Sequence, residues 1–166
     1  DRIYKPYDNL SLSVILNNDG TTEKRVFGCF TEAWKGLPDG TEDRQRLREI
    51  FANPSLQMVS FTITEKGYAL RGADGQYYRF ILDDIDYGPD RAAGAVAIIA
   101  AMLLERYRAG AKPLALVSMD NCSHNGEKLR SAVLEIGQEW KKKGFVDEEF
   151  LSYISDEEKI AFPWSM

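Results

Sequence analysis

The chain has 166 residues, 44% of them apolar and 28% charged, the balance of a folded domain with its own core rather than of a disordered or fibrous chain. Its 21 basic against 26 acidic residues give a net charge of −5, and apart from Lys141-Lys142-Lys143 the basic residues do not gather, which argues against a nucleic-acid partner. The most apolar stretch, 92–104, falls short of the roughly 20 residues that a membrane-spanning helix needs, so a membrane role is not expected either.

In chain order, Ser11 to Leu16 and Thr22 to Phe27 read as the strands of a hairpin that turns at Asn18-Asp19-Gly20. Thr31 to Lys35 is expected to form a short helix ended by Gly36 and Pro38. A helix then begins at Thr41, with Glu42 and Asp43 in its first turn, and stops at Asn53-Pro54. LQMVSFTIT is a strand of the buried type. YALRGADGQYYRFIL reads as a second hairpin that turns at Gly72 to Gly75, and DDIDYGPD as a loop. Pro89 or Asp90 is expected to open an Ala-rich helix running to about Arg108 and closed by Gly110. PLALVS is a short apolar strand, and Leu129, Val133, Ile136 and Trp140 keep helical spacing from about Asn125 to Trp140. A short helix and an extended end follow.

The alternation of buried strands with helices predicts an α/β fold: a parallel sheet flanked by helices on both faces, with two inserted β-hairpins. In such sheets ligands bind at the carboxyl ends of the strands. Two strands here end in polar clusters, Thr62 to Gly67 and Ser118 to Asn121. Local satisfaction of backbone groups accounts for any one of these residues. Two such ends in one sheet point instead to a ligand crevice.

Conspicuous side chains in DNCSHNG carry less than their chemistry suggests. One His and two Cys, Cys29 and Cys122, are too few for a zinc site, so no metal is expected. Cysteines so far apart in sequence fit a reducing, cytoplasmic setting. Cys122 or Ser123 beside His124 does not make a catalytic pair by sequence adjacency, and no G-x-S-x-G elbow is present. Neither G-x-G-x-x-G nor G-x-x-x-x-G-K-[ST] occurs, so these residues by themselves name no cofactor.

Three motifs in order carry a resemblance. VSFTITEKGY, then LALVSMDNCSHNGEKLRSAVL, then IAFPWSM resemble the mannitol dehydrogenase family of polyol-specific long-chain dehydrogenases, and most of all its fructuronate reductase branch. The resemblance covers nearly the whole chain. It implies a Rossmann-type domain, NAD or NADP as cofactor, and a zinc-independent exchange between a secondary alcohol and its ketone. The substrate would be a sugar acid or polyol, D-mannonate and D-fructuronate being the expected pair. Asn121 matches the family's active-site Asn, whose amide would donate a hydrogen bond to the reacting oxygen. Thr64, Glu65 and Ser118 would lie near the cofactor. Asp120 is expected to hold the turn, and Asn125 to cap the next helix.

Departures are equally specific. The Gly-rich fingerprint would belong upstream of Asp1, and the general-base Lys beyond Met166. Trp164 stands where many relatives carry Asn. Residues 1–166 are therefore expected to be the later part of an NAD(P)-binding domain, not competent for turnover alone. The competing expectation is a non-catalytic binding or interaction module built on the same sheet.

Overall fold

A computed structural model describes residues 5–38 and 41–165. The chain divides into two compact units, Asp1–Lys35 and Gly36–Met166.

The first unit is built on an antiparallel hairpin of β1 (Ser11–Leu16) and β2 (Thr22–Phe27), in register from Ser11 opposite Phe27 to Leu16 opposite Thr22. Asp19 fixes the turn by accepting Thr21 N–H at 2.9 Å and Thr21 Oγ1–H at 2.6 Å, bonds that hold its carboxyl below the usual range. Gly20 sits at φ 82°, where a side chain would be strained. Both strands agree with expectation. The short helix expected at Thr31 to Lys35 does not form. So few residues before Gly36 and Pro38 make too few hydrogen bonds to offset helix nucleation.

The second unit carries the sheet. Three parallel strands, β3 (Met58–Phe61), β4 (Leu114–Ser118) and β5 (Ile160–Ala161), lie in the order β3-β4-β5. The helix α4 (Ala95–Arg108) lies between β3 and β4 in sequence, and α5 (Asn125–Lys142) and α6 (Glu148–Ser155) lie between β4 and β5. α4 packs against α5, α6 and the earlier α1 (Thr41–Ala52). No helix of the described residues is long and apolar enough to cross a membrane.

Burial alternates along β4: Leu114, Leu116 and Ser118 are buried, whereas Ala115 and Val117 are half-buried. β3 follows in register, with Val59 and Phe61 packed on the core while Met58, 58% exposed, and Ser60 face outward. Among the described residues the expectation of cover on both faces is thus corrected to one. Parallel crossovers are right-handed, and strands added in a single direction place every crossover on the same face.

A second correction concerns 68–91. The expected hairpin shrinks to one antiparallel bridge, Arg71 to Tyr77, closing a tight turn. From Arg79 the chain is helical, as α3 (Arg79–Tyr87), which takes in most of the expected DDIDYGPD loop. A short helical turn, α2 (Glu65–Tyr68), precedes it. Buried Ile81, Asp84 and Ile85 have helical spacing, and Gly88 at φ 75° ends α3. Pro89–Arg91 is a 3-10 turn, so α4 begins later than expected. The carboxylate of buried Asp84 accepts the Ala93 amide at 2.7 Å and the Gly94 amide at 3.0 Å, satisfying donors just before α4. Burial pushes the Asp84 carboxyl up, against the pull of these bonds.

α4 closes as expected. Gly110 at φ 115° and Ala111 donate back to Tyr107 and Arg106 carbonyls. Arg106 itself is buried, without a carboxylate partner among the described residues. Its guanidinium donates to the carbonyls of Phe51, Asn53, Leu56, Lys112 and Pro113 at 2.7–3.0 Å. It thereby gathers the end of α1 and the approaches to β3 and β4.

Candidate functional site

Because β3 and β4 are parallel neighbours, with Phe61 opposite Ser118, their carboxyl ends open side by side. Met119 N–H donates to Phe61 O at 2.7 Å and carries the pairing one residue further. The two chains then part. Thr62, Ile63 and Thr64 leave on one side and Asp120, Asn121 and Cys122 on the other, lining a crevice of about 190 Å³. The two polar clusters of the sequence meet here.

Thr64 precedes α2 in extended conformation, and its side chain makes no capping bond. Glu65 opens α2, but its side chain lies outside the described residues. Gly67 is packed closely: a Cβ there would sit 3.2 Å from the Ile63 Cβ, a tight contact. That close approach folds α2 back over the strand end and turns Tyr68 inward. Tyr68 is 5% exposed and its hydroxyl donates to the carboxylate of Asp120, itself 8% exposed. Burial first, then this bond, pushes the Tyr68 hydroxyl up to about 12, with the Ser118 hydroxyl opposing. Asp120 holds the turn, as expected.

Asn125 was expected to cap α5. It is instead the first residue of the helix, fully buried, and its amide reaches backward. Asn125 Nδ2 lies 3.2 Å from Ser118 O, 3.0 Å from Asp120 O and 2.8 Å from Ser165 Oγ. Its Oδ1 accepts Ser165 N–H at 3.3 Å, and Ser165 Oγ donates to Ser118 O. One side chain thus ties the end of β4, the turn and the FPWS segment together. His124 holds the cap position in the left-handed region at φ 57°, which lets the chain reverse from strand to helix with few residues. Its ring meets Trp164 edge-on, with centroids 4.7 Å apart. At Gly126 a Cβ would fall 2.4 Å from Phe162 O and 2.9 Å from Pro163 O, so only glycine lets FPWS cross there.

The remaining candidates separate by exposure. Ser118 is fully buried, its hydroxyl 3.4 Å from Asn125 O, so it touches the crevice through its neighbours rather than directly. Cys122 is buried and its thiol accepts from Lys128 Nζ at 3.1 Å. Asn121 is exposed at the crevice, and its side chain makes no hydrogen bond to other described residues. Near this turn opens a wider groove of about 770 Å³, lined among others by Tyr68, Arg71, His124, Lys128 and Glu135. Sequence reading missed Tyr68, Ser165 and Gly126. Their only signal was membership of the same three motifs.

Chemically, the crevice offers a neutral amide donor and the Thr62 and Thr64 hydroxyls. Asp120, which also lines it, is already engaged by Tyr68. At about 190 Å³ it is smaller than the roughly 300–1,000 Å³ usual for ligand pockets.

A parallel α/β unit with a polar crevice at its strand ends defines the nucleotide-binding class of fold. The chain belongs to the mannitol dehydrogenase family: residues 5–166 match its mannitol dehydrogenase Rossmann domain. It is 47% identical over its whole length to a D-mannonate oxidoreductase of Thermotoga maritima, of which it covers 30%. To a D-mannonate oxidoreductase of Escherichia coli it is 31% identical over 88% of the chain and 28% of that protein. Mannitol 2-dehydrogenase of Pseudomonas fluorescens, solved as a ternary complex with NAD and D-mannitol, superposes with a TM-score of 0.74. The identity there is 26%, over 95% of this chain and 30% of that one. The chain therefore spans about 30% of the length of the Thermotoga relative.

Proposed function

We propose that these residues are the later part of the NAD(P)-binding domain of an oxidoreductase that interconverts a sugar acid or polyol with its ketone. D-mannonate and D-fructuronate are the favoured pair, on the 47% identity to a D-mannonate oxidoreductase. The observation that supports the reaction is the Asn121 amide, exposed at the carboxyl ends of two parallel strands and without another partner among the described residues.

A nicotinamide coenzyme, when bound, would supply hydride to the ketone carbon or accept it from the carbinol carbon. The chain's own residues do the rest of what can be assigned here. Asn121 donates a hydrogen bond to the substrate oxygen, and that bond strengthens as negative charge gathers there in the transition state. The amide stays neutral, so it stabilises the oxygen without taking its proton. Thr64, Glu65 and Ser118 would lie near the cofactor, and Ser118, buried behind the turn, bonds Asn125 there. A cytoplasmic setting belongs to the same proposal.

The test is a substrate panel on the full-length protein: fructuronate, tagaturonate and fructose, each with NADH and with NADPH. Highest kcat/KM on fructuronate is expected. Fructose as the best substrate would move the proposal to polyols, and oxidation of neither coenzyme would overturn it.

A further inference from the structure

Tyr68 closes the TEKGY motif, yet nothing so far gives its hydroxyl a task. A tyrosine packed in a core needs no phenol oxygen, and burying one beside a carboxylate is unfavourable unless the two bond. Here they do. The Tyr68 ring packs among the core side chains while its hydroxyl donates to the Asp120 carboxylate. Asp120 is held from its other end too, since its carbonyl accepts from Asn125 Nδ2 at 3.0 Å and from the Cys122 amide at 2.9 Å. The residue pinned between these anchors and Cys122 is followed directly by Asn121, whose side chain has no other partner among the described residues to orient it.

We infer that Tyr68 is a positioning residue: through Asp120 it fixes the backbone from which the Asn121 amide points into the crevice. The inference rests on the functional reading above for its kinetic consequence, but not for its structural one. Orientation of a donor counts steeply in catalysis, because misplacement by about 1 Å can cost two orders of magnitude in rate. The bridge also joins the two strand ends. The β3 exit, through Gly67 and Tyr68, therefore sets the geometry of the β4 exit.

The experiment is a double-mutant cycle in the full-length protein, with Tyr68→Phe, Asn121→Ala and the pair. Tyr68→Phe is expected to lower kcat about tenfold and to leave the Kd for NADH close to wild type, while the Asp120 carboxylate left without its donor lowers the Tm. In the Asn121→Ala background the same change is expected to lower kcat no further. An unchanged kcat in the single variant would overturn the inference, as would an equal loss in both backgrounds, which marks a general packing effect. If Tyr68→Phe does not fold, Asp120→Ala, which removes the acceptor of the Tyr68 hydroxyl, goes through the same cycle with the same expectations for kcat. If the wild-type protein turns over none of the panel, the functional reading fails instead. The crystal structure of Tyr68→Phe then decides this inference: displacement of the 119–122 turn supports it, and an unmoved turn overturns it.

Discussion

Asn125 Nδ2 and Ser165 Oγ, 40 residues apart in sequence, lie 2.8 Å apart in space. That contact explains why the SMDNCSHNG and FPWSM motifs occur together. The second supplies the partner that keeps the first in its bent form, because Asn125 would otherwise leave buried polar atoms unmatched.

Replacing Asn125 with Ala removes one of two donors to each of the Ser118 and Asp120 carbonyls, which keep Ser165 Oγ and the Cys122 amide, and takes away the acceptor of Ser165 N–H. The stability loss is expected to be about 1–2 kcal/mol, the scale of lost hydrogen bonds and of one group left unsatisfied. Denaturant unfolding of the full-length protein measures it. A change of less than about 0.5 kcal/mol, the range of ordinary surface substitutions, would show that the network is not needed.

Gly126→Ala drives a methyl group to 2.4 Å from Phe162 O and forces the FPWS segment off α5. Overpacking of this kind destabilises by roughly 1–3 kcal/mol. Because the segment carries Ser165, the accompanying fall in kcat is expected to exceed that of Gly144→Ala. Gly144 lies beyond α5 with open space around it, though at φ 80°, so its effect is on stability alone. Side-by-side kinetics and Tm values check this.

Arg106→Met leaves five carbonyls without their donor. The expected loss is about 3 kcal/mol, given roughly 1–3 for each buried carbonyl left unsatisfied. Arg108→Met, on the exposed end of the same helix, serves as the control and is expected to stay within about 0.5 kcal/mol. Equal effects would contradict the structural assignment.

High pH tests the buried hydroxyls. Burial is the leading cause that pushes Tyr68 and Tyr153 up to about 12, and Tyr77 is raised as well. An unfolded chain loses these protons near the ordinary value of about 10, whereas the folded chain keeps them longer. The folded state then binds more protons, so stability is fully present below pH of about 10 and is lost as pH rises towards 12. Denaturant midpoints across this range are expected to fall, and to fall less steeply in Tyr68→Phe.

What could be read from the sequence followed from local signals. Asn-Asp-Gly announced the first hairpin, and both of its strands lie where expected. β4 and α5 were equally plain, because a short apolar run gives way to helical spacing at Leu129, Val133, Ile136 and Trp140. The failures also have physical causes. YYRFIL suits a strand or a buried helix equally well, and only the tertiary role of Asp84 at the start of α4 settles it as α3. Cover on one face follows from strand order, which no local pattern carries. The crevice was legible as two polar strand ends. The bonds that shape it, Tyr68 to Asp120 and Asn125 to Ser165, span too much sequence to be read from spacing.

The account's central claim concerns Asn121, and one variant tests it. In the full-length protein, Asn121→Ala is expected to lower kcat for fructuronate reduction by about 10²-fold or more, as losing an oxyanion donor does elsewhere, with Tm and NADH binding little changed. A kcat equal to that of the wild type would contradict the role assigned to this amide.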